Sequence, residues 1–129
     1  MNVPGKNTRM TTGRIGEDLA VNYLRQKGFT IVMRNYRRKC GEIDIIAKEK
    51  KTLVFIEVKT RRSSQYGSPF EAVTWKKQRQ IARTAQDYLC RNNLFHQPAR
   101  FDVIGITLSP SSQPSITMIQ NAFELPEMN

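Results

Sequence analysis

The chain has 129 residues, 39% of them hydrophobic, and a mean hydropathy of -0.53; this fits one soluble globular domain, large enough to bury about two-thirds of its unfolded surface. No apolar run approaches the roughly 18 residues of a membrane span and no signal-peptide core opens the chain, so a cytoplasmic protein without membrane contact is expected. Two cysteines and one histidine (Cys40, Cys90 and His96) exclude a zinc site of their own and most histidine-based chemistry, while 21 basic against 11 acidic residues, a net charge of +10, favour a polyanionic partner, of which nucleic acid is the commonest.

Residues 1–11 are polar and basic with Pro4 and Gly5, and are expected to form a flexible arm. Thr12 can cap a helix from Gly13 to Lys27, with Gly28 as its stop signal. Its apolar stripe is Ile15, Leu19 and Tyr23, widened by Ala20 and Leu24. Glu17 sits at the edge of that stripe, on the face of Ala20, Val21 and Leu24. Two roles fit this position, a first-turn carboxylate favoured by the helix dipole and a carboxylate aimed at the sheet. Gly13 and Gly16 each weaken a helix by about 1 kcal/mol relative to Ala, which points to close approach of another element.

Phe29–Met33 alternates with period two and is expected to be the first strand, beside the one carrying Asp44. The segment 34–39 follows as a basic connection. Arg37, Arg38 and Lys39 there suit phosphate contacts beside a stacking Tyr36, and a solvated charged turn fits as well. Next come two runs rich in Ile, Val and Phe, residues 41–47 and 53–59, separated by a charged turn. They should pair as an antiparallel hairpin. With the turn centred between Lys50 and Lys51, Asp44 falls opposite Glu57, at roughly 4.5–5.5 Å between Cβ atoms. Alternation puts Asp44 on a face with Glu42 and Ile46, and Glu57 and Lys59 on one with Phe55. Two carboxylates so close repel unless a cation lies between them, and Lys59 would border that cation.

The polar and basic stretch 60–68 is expected to be a mobile loop at the end of the Glu57 strand, with Arg61 and Arg62 suited to phosphates. Ser68-Pro69 can start a helical turn through Val73, and Thr74 can cap a helix Trp75–Arg91. The apolar stripe of that helix is Ile81, Ala85, Tyr88 and Leu89, continued by Thr74 and Gln78; Lys76, Lys77, Arg79 and Arg83 make its other side basic. Gln78 is either a satisfied structural amide or a contact to the water shell of a metal. After a loop to Ala99, Arg100–Leu108 should form a strand with Phe101, Val103 and Gly105 on one face and Asp102, Ile104, Ile106 and Leu108 on the other. Asp102 suits a structural ion pair better than a site role. A turn 109–115 leads to a last strand, Ile116–Ile119, and the remainder is weakly patterned, with 12–123 expected as the domain and 124–129 as a tail. The order α-β-β-β-α-β-β makes an α/β fold, one mixed sheet flanked by helices, with the crossover helix letting the next strand run parallel to a neighbour.

The spacing Asp-x12-Glu-x-Lys alone recurs by chance in roughly 2–3% of chains this long, so context must carry it. Both halves sit in strongly apolar strands, where unpaired charge costs several kcal/mol. The stretches Gly16-Glu17, Arg34-Asn35-Tyr36-Arg37, Gly41-Glu42-Ile43-Asp44, Phe55-Ile56-Glu57-Val58-Lys59, Arg61 and Phe101-Asp102-Val103-Ile104 together resemble the YraN family of bacterial proteins, over about Thr12 to Phe123. The resemblance implies a restriction-endonuclease-like core of the PD-(D/E)XK superfamily, similar to archaeal Holliday-junction resolvases. It implies Asp44, Glu57 and Lys59 as the catalytic set. Glu17, Asp44, Glu57 and the Val58 carbonyl would be the metal ligands, with Mg²⁺ as cofactor or Mn²⁺ as its substitute. Ile43 stands where the superfamily has Pro. The implied activity is hydrolysis of DNA phosphodiester bonds, with branched or junction DNA as a compatible structure-specific substrate; from the basic stretches read above, Arg37, Arg38, Lys39, Arg61, Arg62, Lys76, Lys77 and Arg79 are expected to bind the nucleic acid. By analogy with resolvases a homodimer is compatible. Two other classes stay open at this point, a non-catalytic nucleic-acid-binding module of nuclease fold and a basic accessory protein whose carboxylates only pair structurally.

Overall fold

A computed structural model of the protein describes residues 11–62 and 68–124. The expected arm (residues 1–10), the loop residues 63–67 and the tail from 125 lie outside the described residues. Five strands form one sheet in the order β1-β2-β3-β4-β5, with β1 (Thr30–Arg38), β2 (Gly41–Glu49), β3 (Thr52–Arg61), β4 (Ala99–Ser109) and β5 (Ser112–Phe123). The pairs β1–β2, β2–β3 and β4–β5 are antiparallel, and β3–β4 is parallel. Helix α2 (Trp75–Arg91), preceded by a short 3₁₀ turn at Pro69–Ala72, makes the crossover between β3 and β4. The mixed α/β sheet expected from the element order is therefore present, in a strand order consistent with a nuclease-like core.

Each face of the sheet is covered by one helix. Helix α1 (Thr12–Gln26) buries Ala20, Val21 and Leu24 against Ile45, Ala47, Val54, Ile56, Ile104 and Ile106. Helix α2 buries Ile81, Ala82, Ala85, Tyr88 and Leu89 against Ile43, Ile46, Phe55, Phe101 and Val103. Strands buried on both sides read as nearly continuous apolar runs, and this is why β2, β3 and β4 stood out in the sequence. Helix α2 has the bounds and the Thr74 cap expected, the Thr74 hydroxyl accepting from the Lys77 N–H at 3.2 Å.

Several boundaries differ from expectation. Thr11, not Thr12, caps α1, its hydroxyl accepting from the Arg14 N–H at 3.1 Å. The stripe that α1 buries is Gly16, Ala20, Val21 and Leu24, leaving Ile15, Leu19 and Tyr23 half-buried. Segment 34–39 is not a loop, because β1 continues through Arg38; as an edge strand it is largely exposed and carries polar residues that hide its strand character. Strand β3 likewise continues through Arg61, and β5 takes in Gln120–Phe123 and Pro114, which an edge strand tolerates.

Two glycines set how closely the layers approach. A Cβ at Gly16 of α1 would coincide with the Thr60 side chain on β3, and one at Gly105 of β4 would run into the Pro69 ring. Among the described residues nothing lies within 4 Å of a Cβ at Gly13. Gly16→Ala and Gly105→Ala should each lower unfolding stability in urea by about 1–3 kcal/mol through overpacking, while Gly13→Ala should leave it equal or raise it by up to about 1 kcal/mol.

Candidate active site

The hairpin register is the one the turn predicted. Ile45 faces Ile56, Ala47 faces Val54 and Glu49 faces Thr52 around the two-residue turn Lys50-Lys51, with Lys50 in the left-handed region at φ 55°. The ladder between β2 and β3 then stops at Ile45–Ile56. Beyond that pair, β3 stays with β4 as far as Arg61–Thr107, and β2 stays with β1 as far as Gly41–Arg38. The sheet forks here, and Asp44 and Glu57 are the next residue on each arm.

Regular alternation is interrupted at the fork. Ile43 and Ile46 both pack on the α2 side, and Ile45 and Ala47 on the α1 side. A strict period of two would put Ile43 with Ile45, so the face shared by Glu42, Asp44 and Ile46 in the sequence pattern is not preserved. Asn35, opposite on β1, carries the matching irregularity, a left-handed φ of 56°. Asp44 is turned into the gap and does the work of the missing ladder: its Oδ2 accepts the Val58 N–H at 2.8 Å. The N–H and C=O of one strand residue face the same neighbour, so the Val58 carbonyl is directed to this gap as well.

Glu57 is buried at 4% exposure on the α2 side, and two ammonium groups lie at its Oε2, Lys59 Nζ at 3.4 Å and Lys77 Nζ at 3.8 Å. Burial and the neighbouring Glu57 carboxylate push the Asp44 carboxyl up to about 7, against the pull of the Val58 N–H. Glu17, on α1, adds to that rise by its charge, and its Oε1 accepts from Arg34 Nε at 3.0 Å and Asn35 Nδ2 at 3.1 Å. The structure thus gathers Asp44, Glu57, Lys59 and the Val58 backbone. It holds Glu17 at the rim on two side chains of β1, and no group of three His, Cys, Asp or Glu side chains able to hold a metal forms among the described residues.

Lys77 is the residue that sequence reasoning put elsewhere, on the solvated basic side of α2. It lies four residues before Ile81 and eleven before Tyr88, so the helical period already placed it on the inward stripe. Gln78 Nε2 donates to the Val73 carbonyl at 3.0 Å. Asp102 is structural, accepting from Arg100 Nε at 3.1 Å and the Asn121 N–H at 2.8 Å. Of the basic residues, Arg37 pairs with Glu42 at 2.8 Å and Arg38 with Asp87 at 3.1 Å. Both flank, with Lys39, a groove of about 800 Å³. Lys76 and Arg79 are exposed on α2. Arg62 donates to the Thr12 hydroxyl at 3.0 Å, and the buried Nε of Arg61 has no hydrogen-bond partner among the described residues.

The Uncharacterised protein family UPF0102 matches residues 16–106, which include the whole fork. The chain belongs to the UPF0102 family. It is 48% identical to a UPF0102 protein of Geotalea daltonii over 121 residues, covering 94% of this chain and 95% of that one. UPF0102 proteins of Geobacter sulfurreducens, at 49% identity over 94% of each chain, and of Clostridium botulinum, at 50% over 88% of this chain and 94% of theirs, are similar over most of their lengths too. The curated UPF0102 relatives are therefore the size of this chain. No helix of the described residues is long and apolar enough to cross a membrane.

The raised Asp44 value gives stability a sign with pH. The unfolded carboxyl titrates near 3.8 and the folded one near 7, so between these values the folded chain holds the extra proton. The contribution of Asp44 is fully present below about 4 and is lost as pH rises through about 7. Urea unfolding at pH 5 and pH 8 should show wild type losing stability across this interval, with the slope reduced in Asp44→Asn; equal slopes would remove Asp44 as the titrating group.

Proposed function

We propose that this protein is a metal-dependent nuclease that hydrolyses DNA phosphodiester bonds, with Asp44, Glu57 and Lys59 as its catalytic residues. One observation carries this proposal: two carboxylates meet at a fork in the sheet with a lysine on the same face, at a total charge of +10. The resemblance of these stretches to the YraN proteins of the PD-(D/E)XK superfamily supports the same assignment, including a preference for branched or junction DNA.

The donor chemistry suits Mg²⁺, which is usually held by one or two carboxylates and completed by waters and substrate phosphate. Asp44, Glu57 and the Val58 carbonyl would hold it, with Mn²⁺ as a substitute, and Glu17 would take part once released from Arg34 and Asn35. The proton that Asp44 keeps up to about 7 marks a place where one more positive charge is needed. A bound ion would lower the pKa of its water and stabilise charge on the phosphate. Lys59 would orient the attacking water or face the developing phosphate charge, and Lys77 would neutralise Glu57 until the substrate arrives. The grooves bordered by Arg37, Arg38, Lys39, Lys76 and Arg79 would carry the flanking phosphates.

A second function has its own observation. Glu57 already has two lysines and Glu17 already has Arg34, so two of the three carboxylates are charge-compensated by the chain itself. A nucleic-acid-binding protein of nuclease fold that does not cut would look the same. Cleavage of a panel of junction, flap and linear DNA with Mg²⁺ or Mn²⁺ separates the two. Wild type should cut, metal binding should tighten as pH rises because Asp44 must give up its proton to take the ion, and Glu57→Ala and Lys59→Ala should each lower the rate at least a hundredfold. Cutting that survives both substitutions would remove this site, and binding without cutting would favour the second function. Affinity should also fall steeply with salt as phosphate contacts release counterions.

A further inference from the structure

Trp75 is the one tryptophan of the chain, and it is 65% exposed at the first residue of α2. An indole left in water at a helix start contributes nothing to the core. With Cys40 in the β1–β2 turn and Lys76, Arg79, Gln80 and Arg83 of α2, it lines an open pocket of about 360 Å³. Lys76, Arg79 and Arg83 follow one another at i, i+3 and i+7, so they stand in a row on one side of the helix. The acidic residue in α2 is Asp87, and Tyr36, Arg38 and Arg91 already occupy it. The pocket is thus an exposed aromatic plane beside a row of cations that form no ion pair among the described residues.

Two residues further along the same turn, Lys77 reaches Glu57. Trp75 is about 3 Å along the helix axis from Lys77 and about 200° around it, so the pocket and the candidate active site lie on two sides of the same helix end, and a strand would reach one from the other around the first turn. An intact duplex offers such a surface phosphates alone, since its bases are stacked on each other. A single strand offers both phosphates and free base faces, and base–aromatic stacking with Arg and Lys on the backbone is how proteins hold it.

We propose that Trp75 and its pocket take an unpaired base of single-stranded DNA, with Lys76, Arg79 and Arg83 on the adjoining phosphates, so that the strand reaching the site is unpaired next to the point of cutting. This rests on the nucleic-acid proposal above and names the state of its substrate. The lone tryptophan supplies the probe. In EDTA, where no cutting occurs, a short oligothymidylate should quench the emission of the full chain, and a blunt duplex should bind without quenching. Trp75→Ala should weaken oligothymidylate binding about tenfold or more, measured by anisotropy of a labelled strand, while duplex binding is unchanged and Trp75→Phe keeps most of the affinity. Because the side chain is exposed, these variants leave the core intact, and circular dichroism checks that. Equal affinity of Trp75→Ala and wild type for the oligothymidylate, or binding of that strand without quenching, overturns the stacking role and leaves the nuclease proposal standing. Absence of binding to any DNA overturns both.

Discussion

The sheet depends on β3 belonging to two ladders that do not end together. Its first half is bonded on both sides, to β2 and to β4, and its second half only to β4. A strand that loses a neighbour inside a covered sheet leaves N–H groups without partners, and each costs about 1–3 kcal/mol if nothing accepts it. The Asp44 carboxylate answers this at Val58. A side chain in the place of a strand does so with charge as well as a lone pair, and that charge lies next to Glu57 under a helix. The electrostatic tension at this end of the molecule therefore arises from how the backbone hydrogen bonds are completed.

The surrounding charges follow from that tension. Glu57 is buried too deeply for water to screen it, and Lys59 from its own strand and Lys77 from the crossover helix stand at its Oε2. Glu17 is held on Arg34 and Asn35 of the outer strand, beside a pocket also lined by Arg14 and Arg37. On β4, paired with Ile56 one residue before the fork, Asp102 is a fully buried carboxylate with a different solution, the Arg100 Nε shared between its two oxygens and a main-chain N–H from Asn121. The contrast separates the two acids: Asp102 has its partners complete, while Asp44 shares its surroundings with another carboxylate.

Much of this was legible in the sequence because burial on both faces writes long apolar runs, and a two-residue turn leaves little freedom of register. The pairing of 45 with 56 and the span Trp75–Arg91 both came from such signals. Edge strands were harder. β1 from Arg34 to Arg38 and β5 from Gln120 to Phe123 have a solvated side, so their composition resembles that of a loop. The break of alternation at Asp44 and Asn35 left no mark either, since a period-two pattern assumes a continuous ladder. Lys77 was visible by helical phase and was hidden by its charge, which suggested solvent where the fold supplies a buried carboxylate.

Gly16 and Gly105 stand on opposite faces of the paired strands β3 and β4, one against Thr60, which pairs with Ile106, and the other itself paired with Lys59. Both layers are therefore in contact with the sheet beside the fork with no room for a single added carbon. The permissible vocabulary of change at this end of the protein is accordingly one of charge and hydrogen-bonding type, since any gain in volume would be transmitted to a helix on one side or to the proline turn on the other. Members that differ in what they handle would diverge along the open rim, at positions such as Arg37, Lys76 and Arg79, while the floor beneath keeps its dimensions.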